Sequence, residues 1–193
     1  MKKILLILTI NFLFVFSTIN GQNRRFLTTT SIGLFKPSTT IDGIVTSGFT
    51  TVTGVELLIG KQLYLTASLD FQAINYVQKF KSIDIDGQLG MIPILIGGRY
   101  LVNNSSKFTP YVGFSGGITV LNIPKFETLD TKLHVFTERK LPLTYALRGG
   151  VEFRLNQSFF PYIELGFQSL KDDYFKQKLN FASLNIGVRT YPF

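Results

Sequence analysis

Apolar and polar residues alternate most clearly from Leu63 to Ala73. The odd positions of this stretch are all apolar, and the even positions between them carry hydroxyl, carboxylate or amide groups. Successive side chains of a β-strand point to opposite faces of a sheet, so the alternation predicts a strand with one apolar and one polar face. A strand of about eleven residues is also long enough to cross a bilayer at a tilt.

The same pattern recurs along the chain and predicts an all-β fold. No helical pattern of comparable strength follows Gln22. The eight predicted strands are Arg25–Phe35, Phe49–Gly60, Leu63–Ala73, Gln88–Leu101, Phe108–Leu121, Leu141–Arg154, Phe159–Leu170 and a last strand from Leu179 to the C-terminus.

Long and short connections alternate between these strands. The long ones are Lys36–Gly48, Gln78–Gly87, Asn122–Lys140 and Lys171–Lys178. Consecutive antiparallel strands reverse direction, so the long connections fall at one end of the sheet and the short turns fall with both termini at the other. Such an up-and-down sheet removes its exposed edges by closing, which predicts an eight-stranded antiparallel β-barrel.

Two kinds of barrel fit eight strands. A soluble barrel points its apolar residues inward around a ligand, whereas a membrane barrel points them outward into lipid and keeps a polar interior. The polar face here combines small residues with charges of both signs, which compensate one another in a narrow interior. This predicted lumen charge network consists of Glu56, Asp70, Arg99, Arg148, Glu152, Glu164 and Arg189.

Aromatic residues favour the membrane barrel. Four on the apolar face are expected at the short-turn end, and four more near the loop end. They are Tyr100, Phe108, Phe153 and Phe159, then Phe49, Phe71, Tyr145 and Phe167. Aromatic girdles flanking an apolar band are typical of a transmembrane β-barrel.

The N-terminal segment, residues 1–21, has the layout of a cleaved secretory signal peptide. Lys2 and Lys3 precede an apolar run from Ile4 to Phe16, and Gly21 supplies a small residue before the expected cleavage site. The run is shorter than the roughly twenty residues of a spanning helix. Residues 22–193 then form the barrel domain. The chain has no cysteine, which excludes disulfides, cysteine metal sites and lipoprotein anchoring.

Charge and candidate chemistry change this interpretation little. Removing Lys2 and Lys3 lowers the formal net charge from +8 to +6, and the remaining Lys and Arg are scattered, so nucleic acid is not an expected partner. His134, the one histidine, has no serine and acid at an informative spacing. We expect the loop aspartates, Asp84, Asp86, Asp172 and Asp173, to be solvated. No catalytic centre, cofactor or metal site is predicted.

Three segments resemble a known family. They are IPILIGGRYLV (Ile92–Val102), TPYVGFSGGI (Thr109–Ile118) and the ending SLNIGVRTYPF. The chain resembles the small outer-membrane β-barrel proteins of Gram-negative bacteria, with an OmpA/OmpX-like architecture. The resemblance implies outer-membrane lipid as the environment, both mature termini in the periplasm, and periplasmic chaperones and the barrel-insertion machinery as transient partners.

The last residues also resemble the signal read by the insertion machinery, which ends in Phe193 with Tyr191 two residues earlier. Both fall on the opposite parity from Leu184 and Ile186, and Pro192 removes a ladder donor. Either a bulge near Thr190 turns them outward, or the last residues leave the sheet.

The expected function is a structural or surface-binding role. The Asn122–Lys140 loop mixes apolar residues with charges, which suits contact with a partner or a surface polysaccharide. A narrow pore for ions or small solutes is the alternative, because eight strands leave little room inside. An accessory role in an outer-membrane secretion or assembly system is a further alternative, and catalysis is the least expected.

Overall fold

A computed structural model shows the chain as one closed antiparallel sheet. It describes residues 25–38, 44–80, 83–102, 107–129, 132–171 and 178–191. The predicted signal peptide lies outside the described residues. The strands in these ranges are β1 (Phe26–Pro37), β2 (Ile44–Leu58), β3 (Leu63–Phe80), β4 (Ile83–Leu101), β5 (Phe108–Leu129), β6 (Lys132–Lys140), β7 (Leu143–Phe153), β8 (Phe159–Lys171) and β9 (Leu179–Thr190).

Eight of these strands form the barrel. Their hydrogen-bonded order is β4-β3-β2-β1-β9-β8-β7-β5, and pairing between β4 and β5 closes the cylinder. β1 pairs with β9, so the two ends of the described barrel are neighbours. The predicted eight-stranded up-and-down barrel is therefore confirmed.

The remaining strand, β6, corrects the prediction that Asn122–Lys140 is a loop. β5 continues to Leu129 and pairs with β6 in a hairpin, and β7 follows β6 in the same register, since Leu121 pairs with Lys140 and Ile118 with Leu143. The backbone amide of Thr119 donates to the carbonyl of Pro142 at 3.0 Å, which carries the pairing across the break. The result is a two-stranded β5–β6 ribbon, residues 121–129 and 132–140, that rises beyond the barrel wall.

Two other predicted loops are also shorter than expected. The described residues of the polar segment Gln78–Gly87 continue β3 and β4, with Phe80 opposite Ile83. β1 runs to Pro37 and β2 begins at Ile44, with a register shift between Val45 and Gly48. Ladder hydrogen bonds satisfy these backbones, so the hairpins form although their residues lack the alternation of the membrane strands.

Apolar side chains cover the outside of the barrel. Leu65 is 46% exposed, Ile94 44% and Leu165 66%. Six of the eight aromatic residues predicted as girdles are exposed on this face, and the rings of Phe108 and Phe153 meet edge-on at 5.2 Å between centroids. The barrel thus has the side-chain orientation of a membrane barrel, with its apolar face outside. No described helix has the length and apolarity to cross a bilayer.

The closed lumen as candidate functional site

Glu56 lies at the centre of the charged side chains inside the barrel. Its Oε2 accepts from Nε of Arg99 at 2.8 Å, and its Oε1 accepts from Nε of Arg189 at 2.8 Å. The three residues come from β2, β4 and β9, and each of their side chains is at most 4% exposed. One carboxylate therefore joins two buried guanidiniums from different parts of the wall.

Two further glutamates complete this layer. Nη1 of Arg99 donates to Oε2 of Glu152 at 2.9 Å, and Nη1 of Arg189 lies 3.6 Å from the same oxygen. Glu164 lies 3.7 Å from Nη2 of Arg189 and accepts the hydroxyl hydrogen of Tyr111 at 3.0 Å. The carboxylates are thus held by charged and neutral donors together, which is what a buried charge requires.

Arg148 and Asp70 form the part of the network nearest the loop end. Nη2 of Arg148 donates to Oδ2 of Asp70 at 2.8 Å, and Nε of Arg148 lies 4.0 Å from Glu164. The Asp70 side chain is 2% exposed and that of Arg148 is 21%. The structure therefore brings all seven predicted lumen residues into one connected set.

Tyrosine rings pack against the arginines. The guanidinium carbon of Arg189 lies 3.8 Å from the ring centroid of Tyr162 and 4.4 Å from that of Tyr111. Arg99 lies 4.5 Å from the ring centroid of Tyr64. A cation over an aromatic face is attracted by the ring quadrupole, more strongly where water is excluded. These tyrosines share the parity of the charged residues, but they were not predicted as part of the network.

Two buried clusters that are mostly apolar, here called plugs, flank the charged residues toward the two ends of the barrel. The turn-end plug consists of Leu27, Tyr64, Leu101, Tyr111, Phe160 and Tyr162. The loop-end plug consists of Phe35, Ile74, Leu89, Met91, Leu121, Leu170, Leu179 and Phe181. The charged part of the predicted polar lumen is therefore flanked by a buried, mostly apolar cluster toward each end of the barrel.

Two small cavities remain between the plugs. One, of about 40 Å³, lies among the charged residues and is bordered by Glu56, Arg99 and Arg189. The other, of about 20 Å³, lies next to Asp70 on the loop-end side. Neither is larger than a few water molecules.

Tyr191 packs into the turn end of the barrel. β9 keeps its register up to Thr190, which pairs with both Thr28 and Phe159, so no bulge turns Tyr191 outward. The Tyr191 ring meets that of Phe160 edge-on at 5.5 Å, and it contacts the turn-end plug. Phe193 lies outside the described residues.

The other residues considered as candidate catalytic or metal-binding groups do not come together in one site. His134 lies in β6 opposite Glu127 rather than in a loop, and Asp84 lies in β4 opposite Lys79. Asp172 and Asp173 are outside the described residues. Within the described ranges, no group of three or more histidine or acidic side chains is arranged to hold a metal ion.

No protein-family model matches the chain, and no curated protein sequence matches it significantly. Among solved structures, the outer membrane protein OprG from Pseudomonas aeruginosa matches 86% of this chain and 94% of its own, with a TM-score of 0.60 and 12% identity. Neisserial surface protein A covers 87% of this chain and 96% of its own length, with a TM-score of 0.58 and 13% identity. Yersinia pestis Ail, solved with the heparin analogue sucrose octasulfate, covers 86% of this chain and 99% of its own length. Its TM-score is 0.50 and its identity is 15%. The shared feature is the fold of the small outer-membrane β-barrels.

Proposed function

We propose that this chain is an integral outer-membrane β-barrel of a Gram-negative bacterium, and that it has a structural or surface-binding role rather than a catalytic one. The observation that carries the proposal is an apolar outer face around a lumen that is filled by buried charged and apolar side chains. A soluble monomer rarely exposes a contiguous apolar patch larger than a few hundred Å². Here outward apolar side chains such as Ile32, Ile96 and Leu165 occur around the whole circumference.

Orientation follows from the lengths of the connections. Barrels of this kind have short periplasmic turns and longer extracellular segments. The β5–β6 ribbon and the extended β3–β4 hairpin then project outside the cell, and both mature termini lie in the periplasm. Periplasmic chaperones and the insertion machinery are the implied transient partners, with Tyr191 and Phe193 as the proposed insertion signal.

The surface available for binding is the loop end, because side chains fill most of the narrow lumen and leave only two small cavities in it. On the ribbon, Phe136 and Arg139 are exposed, and Lys140 pairs with Glu138 at 2.6 Å. This mixture of cationic and apolar groups suits a protein or an anionic polysaccharide. Ail, with the same fold, was solved with a sulfated sugar.

Planar-bilayer recordings are expected to show no steady ion current through the purified barrel. An ion crossing it would have to pass the buried, mostly apolar plugs and the charged layer between them, and apolar constrictions stop conduction by excluding water. A large general porin, recorded in the same lipid, serves as the positive control. Reproducible unit currents that change in the Arg148→Ala variant would instead favour the narrow-pore alternative.

Crosslinking in intact cells tests the surface role. In one variant, residues 124–137 are replaced by Asn-Gly, which joins the opposed residues Ile123 and Glu138 by a two-residue hairpin turn. The matched control replaces residues 78–85 by Asn-Gly between the opposed residues Val77 and Asp86. We expect crosslinks to a partner in the wild type and the control that are lost in the ribbon variant. Crosslinks that persist without the ribbon would contradict this assignment.

A further inference from the structure

Charge is distributed unevenly between the two ends of the barrel. By position in the sequence, the turn end comprises the residues before β1, the three short turns and the residues after β9, namely 22–25, 59–62, 102–107, 154–158 and 191–193. None of these residues is aspartate or glutamate, and five are basic: Arg24, Arg25, Lys61, Lys107 and Arg154. The two ends of the mature chain add one charge of each sign, so the formal charge of the turn end is +5.

The loop end is nearly neutral by comparison. Of the 12 acidic residues, four belong to the lumen charge network, and the other eight belong to the strand extensions and connections at the loop end. Ten basic residues belong to the same segments, so the formal charge of the loop end is +2. The excess of positive charge in the mature chain is therefore concentrated at the turn end.

Two of the turn-end cations, Lys107 and Arg154, lie directly opposite each other. Phe108 pairs with Phe153, and one step further the backbone amide of Arg154 donates to the carbonyl of Lys107 at 2.9 Å. Directly opposed residues project from the same face of a sheet, and two like charges in such positions destabilise it. Lys107 is exposed and Arg154 is half-buried, so an anion bound beside them would offset this repulsion.

The turn-end cations lie close to the aromatic girdle at the same end. Lys107 directly precedes Phe108. Tyr100 donates its hydroxyl hydrogen at 2.7 Å to Oε1 of Gln62, which follows Lys61 in the β2–β3 turn. Aromatic girdles of membrane proteins lie at the depth of the lipid headgroups. The three turns are at most six residues long, so their cations stay near that depth.

We propose that the turn end binds the headgroups of anionic phospholipids, with the opposed pair Lys107 and Arg154 as part of the binding surface. This inference rests on the proposed function, because lipid reaches the girdle only if the barrel spans a membrane. Each lysine or arginine near an anionic bilayer surface strengthens the association about fivefold. Lipid suits this surface better than a soluble acidic partner does, because the short turns hold the cations beside the bilayer.

Unfolding in vesicles of two compositions tests the proposal. The wild type, Lys107→Gln and the control Arg139→Gln are titrated with urea in vesicles of phosphatidylcholine, and in vesicles of phosphatidylcholine and phosphatidylglycerol in equal amounts. Arg139 is also exposed, but it lies on the ribbon at the loop end, next to Glu138 in the chain. Each variant removes one positive charge, so the attraction of the unfolded chain to anionic lipid changes equally in the two.

The expected effect of Lys107→Gln differs between the two lipids. In phosphatidylcholine the variant should be at least as stable as the wild type, because it removes the repulsion with Arg154. In the anionic mixture it should lower the folding equilibrium constant about fivefold relative to Arg139→Gln, and salt at about 1 M should abolish that difference.

Equal effects of the two variants in the anionic mixture would overturn the proposal and favour a soluble acidic partner at the turn end. A loss in Lys107→Gln that is the same in phosphatidylcholine, or that persists in high salt, would also overturn it, because Lys107 would then act within the fold. A wild-type chain that enters neither kind of vesicle would instead contradict the proposed membrane barrel itself.

Discussion

Replacing Glu56 with glutamine should lower the free energy of unfolding of the barrel by about 3–5 kcal/mol, the usual cost of removing one partner of a buried ion pair. Glu56 is the only described carboxylate that accepts a hydrogen bond from both Arg99 and Arg189, at 2.8 Å each. Glutamine is nearly the same size, so the loss comes from two guanidiniums left buried beside a neutral amide. Urea titration in detergent measures it, followed by far-ultraviolet circular dichroism because the chain has no tryptophan.

The same substitution at Glu138 provides the control. Glu138 pairs with Lys140 on the β5–β6 ribbon at 2.6 Å, and both side chains are more than a quarter exposed. An ion pair in contact with water contributes about 0–1 kcal/mol, so Glu138→Gln should barely change unfolding. Similar losses in the two variants would show that the buried network has no special role in stability.

The direction of the side chains in the membrane strands could be predicted from the sequence. Leu65 and Ile94 point outward, whereas Glu56 and Arg99 point inward, as their alternation indicates. Lipid outside and a narrow polar space inside impose opposite requirements on neighbouring residues of each strand. Because of that contrast, the direction of each side chain can be predicted from its position in the alternation.

The β5–β6 ribbon could not be recognised in this way. Beyond the membrane, both faces of a hairpin can meet water, so no alternation is required and Asn122–Lys140 looked like a loop. Its strands are held by backbone pairs such as Phe126 with Val135, which leave no signal in side-chain polarity.

The plugs, and which carboxylate pairs with which arginine, could not be predicted either, for two physical reasons. Phe35 and Phe181 have the inward parity, but they are as apolar as the outward residues of the same strands, so polarity alone does not separate a plug from a lipid-facing surface. The partners Arg189 and Glu56 lie on β9 and β2, with β1 between them. Their meeting depends on the stagger of the strands when the barrel closes, which is a property of the whole cylinder.

Replacing Leu165 with arginine should separate a lipid-facing outer surface from a water-facing one. Leu165 is 66% exposed, pairs with Leu184 and lies midway along the outward residues of β8, between Phe159 and Lys171. On a surface in water, such a change alters stability by no more than about 0.5 kcal/mol. At the middle of a bilayer, arginine on the lipid face of a barrel costs about 2–4 kcal/mol.

Urea titration in phospholipid vesicles measures this difference, with the folded and unfolded forms separated by their migration on unheated gels. Phe136→Arg is the matched control, because Phe136 is 41% exposed but lies on the ribbon beyond the apolar band. We expect the Leu165 variant to lose most of the predicted 2–4 kcal/mol and the Phe136 variant to lose about 0.5 kcal/mol or less. Equal stability of the Leu165 variant and the wild type in vesicles would mean that β8 does not face lipid, and the outer-membrane proposal would fail with it.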